Sequence, residues 1–281
     1  MSTRRGTTGN VNTKVLKLLE KINRRVDLTH EIQTEIDPNV YFNRNSVNLL
    51  VGKKGSGKTY NVFREVLKLN FIKNHRYTKM LYVTNKPDDP TFDRFEEALE
   101  IPVEKVTYED AVDAINDLAE AKSAVKKIQK GEVKWSQLED DAKEEIQEVL
   151  GEHFISLSSG GEELDVFHSI VLLDDCAFLF EKRTKHNQEL WRMLLENRQP
   201  KITYFLTMQD PKGFDTALKE ALDTVWIFGG FTRRKFAYMC QSIPHGSTPY
   251  KLWNRYKNLT RNQALLFKND LDGVRIIDIL E

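Results

Sequence analysis

Cysteine is scarce in this chain, with only Cys176 and Cys240 in 281 residues. Two thiols cannot build a disulfide framework or, by themselves, a zinc site, so the composition points to a reducing, intracellular setting. Net charge is lacking as well, because 42 Lys and Arg balance 42 Asp and Glu. No global field draws the chain to nucleic acid or a membrane, and binding of that kind must come from local patches. A long apolar run is also missing. No stretch approaches bilayer length, and the polar, basic start MSTRRGTTGNVNTK has no apolar core behind it, so a soluble, unexported protein without a membrane span is expected. What is present is 40% apolar residues, enough at this length for one sizeable core with an appended region.

The first dozen residues read as disordered, and from Val15 the pattern VLKLLEKINRRV has helical spacing, so residues 1–40 form a tail and lead-in helix. Residues 41–281 form the principal domain. In it SVNLLVG reads as a buried strand, followed by a glycine turn and a helical pattern, TYNVFREVLKLNFIKN. Further strands are expected at KMLYVTN, HSIVLLDD, KITYFLTMQ and DTVWIFGG, separated by helical or irregular segments. That alternation implies an α/β fold, a mainly parallel sheet between helices. The stretch 108–150, rich in Ala, Glu, Lys and Leu, should form two or three helices, either an insertion or an extended crossover pair. The closing segment 247–281 is expected to form a C-terminal helix and then a β-hairpin, in which QALLFK and VRIIDI flank NDLDG.

The stretch LLVGKKGSGKTYNV carries the chemistry. Gly52, four residues and then Gly57, Lys58 and Thr59 match the P-loop pattern, with an apolar strand before it and a helix after it. Glycines let backbone N–H groups turn inward around phosphates, and the helix N-terminus adds positive potential. Gly52, Lys53, Lys54, Gly55, Ser56, Gly57, Lys58, Thr59 and Tyr60 are therefore the candidate ATP-binding residues, with Lys58 on the terminal phosphates and the Thr59 hydroxyl on Mg²⁺. The chain reads as a P-loop NTPase.

SIVLLDDC ends an apolar strand with paired carboxylates, as a Walker B segment does. Asp174 is the candidate Mg²⁺ holder and Asp175 the group that orients or deprotonates the attacking water. KMLYVTN, lying between the two motifs, gives the order of the additional-strand ATPases rather than of simple kinases or GTPases. In that branch the strand after Walker B ends in a polar residue that senses the γ-phosphate, and ITYFLTMQD delivers Gln209 there. NKPD at Asn85 to Asp88 has the guanine-reading pattern of GTPases but precedes Asp174 instead of following it, so ATP is preferred over GTP.

Four blocks, GKKGSGKT, IVLLDDC, LLENRQPKITYFLTMQD and LWNRYKNLTRNQALLFK, together resemble the viral genome-packaging ATPases of the FtsK-HerA superfamily, of the poxvirus, giant-virus and virophage type. The resemblance covers most of the chain from Val47 onward. It implies a homo-oligomeric ring, usually a hexamer, that hydrolyses ATP and drives double-stranded DNA into a preformed capsid. A capsid or portal-vertex protein would be the partner, and the site of action the cytoplasm of an infected cell or the virion. Two features depart from the family pattern: Asp175 stands where Glu is common, and Asn197-Arg198-Gln199 stands where Gly-Arg-His is common.

A ring ATPase can use a neighbour's guanidinium on the transferring phosphoryl group, and Arg198 is the first candidate, ahead of Arg183 and then Arg233 and Arg234. The loops SLSSGGEELD and DPKGFD, the latter with Lys212, could touch DNA phosphates, and the basic, aromatic tail YKLWNRYKNLTRN could stack on nucleic acid or pack in the core. The histidines show no metal-ligand spacing, and Cys176 reads as small packing rather than a nucleophile. The competing functions are another nucleic-acid motor such as a helicase or DNA-transfer ATPase, a nucleotide-gated assembly protein with little hydrolysis, and a small-molecule kinase.

Overall fold

The computed structural model describes residues 42–72, 77–86, 88–99, 101–150, 168–180, 185–210, 221–241, 249–260, 263–268 and 274–278. The lead-in helix from Val15, the loop SLSSGGEELD, Arg183 and Lys212 lie outside the described residues. Among the described residues, strands β1 (Val47–Val51), β2 (Tyr77–Val83), β3 (Val103–Val106) and β4 (His168–Leu173) join β5 (Ile202–Met208), β6 (Thr224–Phe228), β7 (Gln263–Lys268) and β8 (Val274–Asp278). They form one sheet in the order β3-β2-β4-β5-β1-β6-β7-β8. The first six strands are parallel, and β7 and β8 add antiparallel to the β6 edge as the expected hairpin, whose turn lies outside the described residues.

The apolar runs form strands because both faces of the sheet are covered. Side chains alternate across a strand, so a strand buried on both faces reads as a nearly continuous apolar run, and the buried Asn48 of β1 is satisfied by Ser46, the Tyr204 carbonyl and Thr224. Val47, Leu49 and Val51 enter one core layer and Leu50 the other; Val171 and Leu173 oppose Ile170 and Leu172 in the same way. Each such side chain contributes about 1.5–3 kcal/mol of burial.

The layer that Leu50 enters is closed by α1 (Lys58–Ile72) through Val62, Phe63 and Val66, and by α2 (Pro90–Leu99) through Phe92 and Phe95. Helix α2 begins where Asp89 Oδ1 accepts the Thr91 N–H at 2.9 Å and Pro90 supplies a first-turn residue with no N–H to satisfy. The opposite layer holds α3 (Ala111–Gln129), α4 (Asp140–Leu150) and α5 (Lys185–Leu195), with α6 (Arg233–Gln241) and α7 (Pro249–Tyr256) further along. Ile115, Ile146, Leu190, Phe236 and Leu252 from these helices share one cluster with the strands. The helices of 108–150 thus pack into the principal core, on the connection from β3 to β4.

One strand of the sheet differs from the sequence expectation. Strand β3 was not anticipated, because VEKV exposes Glu104 and Lys105 and, among the described residues, pairs with β2 alone as an edge strand. In space β5 lies between the P-loop strand β1 and the Walker B strand β4, while β2 lies beyond β4. Among the described residues, no helix is long and apolar enough to cross a membrane.

Candidate nucleotide site

The C-terminal ends of β1, β4 and β5 meet at one edge of the sheet, where ligands of open α/β folds bind. Strand β1 runs into the glycine loop, and α1 starts at Lys58. Gly55 and Gly57 adopt φ +74° and +83°, values that side-chain-bearing residues resist. A glycine turn of this kind in front of the α1 N-terminus is suited to cradle an anion with its backbone amides. The Lys58 ammonium folds across this loop and donates to the carbonyls of Gly52 at 2.9 Å and Lys53 at 3.1 Å. Burial lowers its pKa below the ordinary lysine value, against the opposing charges of Asp175 and Asp174.

The Walker B acids are held differently from one another. Asp174 is 1% exposed, and its Oδ1 accepts two hydroxyls, Thr59 Oγ1 at 2.6 Å and Thr207 Oγ1 at 2.8 Å. Its Oδ2 accepts the Lys86 ammonium, and its main-chain carbonyl accepts the Tyr108 hydroxyl. Asp175 adopts φ +51°, left-handed for a residue with a side chain, and its N–H donates to Thr207 Oγ1 at 2.8 Å. Such a conformation persists where the surroundings over-determine it, commonly at functional sites. Gln209, at the end of β5, donates Nε2 to Asp175 Oδ2 at 3.0 Å.

A hydroxyl and a carboxylate converging at 2.6 Å are the hard oxygen donors that Mg²⁺ takes. Lys86 already places a positive charge on Asp174 Oδ2, so the site accommodates a cation there. Thr59 and Asp174 therefore fit the metal.

The sequence-derived residues Lys58, Thr59, Asp174, Asp175 and Gln209 are brought together at this edge. The other loop residues occupy the same turn, while Tyr60 packs edge-to-face on Phe95 at 5.2 Å. Arg198 is not part of the cluster. It lies in the turn before β5, roughly 23 Å of extended strand from Gln209, 80% exposed and 3.5 Å from Asp223. Arg233 and Arg234 begin α6 just after β6. His168 is buried and paired with Asn45 Oδ1 at 2.9 Å, and Cys176 and Cys240 are buried thiols outside any disulfide.

Three site residues were missed by sequence reasoning. Thr207 carried a signal, a hydroxyl two positions before Gln209 among the apolar Phe205, Leu206 and Met208. Lys86 sat in the NKPD stretch that had been set aside as a GTPase pattern. Tyr108 had no cue, since it arrives through the loop after the unanticipated β3.

No protein-family model and no curated protein sequence matches the chain. Solved structures do match. The DNA-packaging ATPase B204 of Sulfolobus turreted icosahedral virus aligns over 85% of this chain and 100% of its own, with TM-score 0.54 and 13% identity. The genome-packaging NTPase B204 of Sulfolobus turreted icosahedral virus 2, in complex with ATP-γS, aligns over 84% and 98%, with TM-score 0.52 and 15% identity. EssC (ATPases 2 and 3) from Geobacillus thermodenitrificans aligns over 84% of this chain but only 40% of its own, with TM-score 0.56 and 15% identity. The chain has the fold of these P-loop ATPases, a mainly parallel sheet between helices.

Proposed function

We propose that this chain is an ATPase that couples Mg²⁺-dependent ATP hydrolysis to translocation of double-stranded DNA, as the packaging motor of a virus. The observation that carries the reading is the pair of carboxylates split between two tasks, Asp174 against Thr59 and Asp175 against Gln209. The loop amides and Lys58 would hold the phosphates, and Thr59 and Asp174 would hold Mg²⁺. When bound, Mg²⁺ neutralises charge on the β- and γ-phosphates. Asp175 would orient the attacking water and accept its proton as the oxygen bonds to the γ-phosphorus and the bond from that phosphorus to the β–γ bridging oxygen breaks, leaving ADP and phosphate, and Gln209 would report whether the γ-phosphate is present.

The likeness to B204, described as DNA-packaging, favours DNA as the cargo. A ring of identical subunits, a capsid partner and a place of action in the infected cell follow from the same reading. A second reading, an ATPase whose work is not on DNA, is favoured by the likeness to EssC, which is described by its ATPases and not by DNA. The test is ATP hydrolysis by purified protein with and without linear double-stranded DNA across salt concentrations, with Lys58→Ala as the blank. Turnover that depends on Lys58 and rises with DNA supports packaging. Turnover indifferent to DNA favours the second reading, and turnover at the blank's level sinks both.

A further inference from the structure

The charge neutrality of the chain conceals a segregation. Between Asp223 and Asp270 there is no Asp or Glu, although the overall acidic content would put about seven there, and the same stretch carries eight Lys or Arg. The fold gathers much of this excess onto one surface. Helices α6 and α7 pack against each other through Phe236 and Tyr256, whose rings stack with centroids 4.2 Å apart, and Trp253 closes on both. Phe236, Met239, Cys240, Leu252 and Tyr256 all face the core. The outer surface is left to Arg233, Arg234, Lys251, Arg255 and Lys257, all exposed, with Lys235 half-buried beside them. The two large exposed side chains there are Tyr238 at 41% and Tyr250 at 63%, and the Arg233 guanidinium lies over the Tyr250 ring at 5.5 Å.

We propose that the outer face of α6 and α7 is a contact surface for the phosphodiester backbone of nucleic acid. Several exposed cations on two helices that carry no carboxylate of their own form an electrostatic footprint for a polyphosphate. A protein partner would have to bring a matching set of carboxylates to five exposed cations, whereas a polyphosphate presents anions at regular spacing along its whole length. An anionic membrane is disfavoured too. Surface-seeking helices insert Leu, Phe or Trp, and here the Leu, Phe and Trp of both helices are turned inward. Tyrosine with arginine on its face suits bases and sugar–phosphate instead.

The face adjoins the nucleotide site. Gly230, just before α6, lies beside the Lys53 side chain, and Lys235 Nζ is 3.1 Å from Asp210, the residue after Gln209. This assignment deepens the motor reading and rests on it for the identity of the polymer, whereas binding itself requires no hydrolysis.

The test is anisotropy of a fluorescent DNA duplex titrated with full-length protein at several salt concentrations. Arg233→Glu, Arg234→Glu, Lys251→Glu and Arg255→Glu are combined in one variant and compared with a charge-matched control, Lys126→Glu, Lys127→Glu, Lys130→Glu and Lys134→Glu at the end of α3 and just beyond it. The expected result is at least a tenfold loss of affinity in the α6–α7 variant. Its log–log salt slope should be shallower by about 0.9 for each phosphate contact removed, while the control stays near wild type. Arg255→Gln alone, a milder change, should lose affinity by a smaller factor at an unchanged melting temperature, which separates lost contacts from misfolding. Equal losses in variant and control overturn the proposal, as does binding to phosphatidylserine vesicles with no binding to the duplex. DNA binding through this face without DNA-stimulated hydrolysis supports the surface while the motor reading fails.

Discussion

At the scale of single residues, the site separates groups that act on nucleotide from groups that hold those groups in place. Lys58→Ala removes the buried ammonium of the phosphate cradle and should abolish hydrolysis to background in a phosphate-release assay. Asp175→Asn preserves shape and the Gln209 contact but removes the proton acceptor, so turnover should fall by about 10²–10⁴-fold while nucleotide affinity holds. Wild-type turnover in that variant would remove Asp175 from the chemistry. Lys86 acts through Asp174. Burial pulls its pKa down, but its hydrogen bond to Asp174 and the neighbouring acids outweigh this and hold it above the ordinary lysine value, so it is charged at neutral pH. Half-exposed, it competes for the carboxylate on which a metal would draw. Lys86→Met should therefore lower the Mg²⁺ concentration at half-maximal binding of a fluorescent ADP analogue by up to about fivefold, the worth of a partly exposed ion pair. An unmoved half-point would show that Lys86 does not contend for that site.

At the scale of elements, legibility followed sequence distance. The glycine loop and the paired acids are contiguous, and each needs its residue types at fixed spacing, so both could be read directly. Strand β5 was legible as a strand, but its place between β1 and β4 was not, because sheet order is set by packing rather than by local pattern. Edge position hid β3, whose exposed Glu104 and Lys105 erase the apolar signal, and with it went Tyr108. Helix α3 hid something else, a lysine on its apolar stripe. Lys122 is buried and donates to Ser169 Oγ at 3.0 Å and the Lys201 carbonyl at 3.1 Å, joining the helix to the start of β4 and the turn before β5. Burial, aided by the charge of Lys201, holds its pKa well below the ordinary lysine value. The folded state then releases this proton at lower pH than the unfolded chain does. Between the depressed value and the ordinary one the unfolded state binds more protons, so this residue's contribution to stability rises with pH. Lys122→Met should remove that rise, seen as a flatter melting temperature from neutral pH to about pH 9. Parallel curves for the two proteins would exclude Lys122 as its source.

At the scale of the whole molecule, one chain does not place Arg198 near its own nucleotide cradle. The arginine sits at the far end of β5, and its pairing with Asp223 at 3.5 Å is exposed enough to contribute at most about 1 kcal/mol. Arg198→Ala should thus leave the melting temperature almost unchanged. A catalytic role for this guanidinium requires a second copy, with the turn before β5 of one subunit facing the glycine loop of the next. In such a ring, Arg198→Ala should lower turnover by about 10³-fold or more at unchanged nucleotide affinity, the scale of a lost arginine finger. Mixing settles whether the defect lies between subunits. Rings of Arg198→Ala alone and of Lys58→Ala alone would both be inactive, the first lacking the finger and the second the cradle. In mixed rings, a subunit with intact Lys58 next to one with intact Arg198 regains a complete site, so activity should return above that of either parent. Recovery places Arg198 across the interface, and wild-type turnover in rings of Arg198→Ala alone shows that this arginine is an ordinary surface cation.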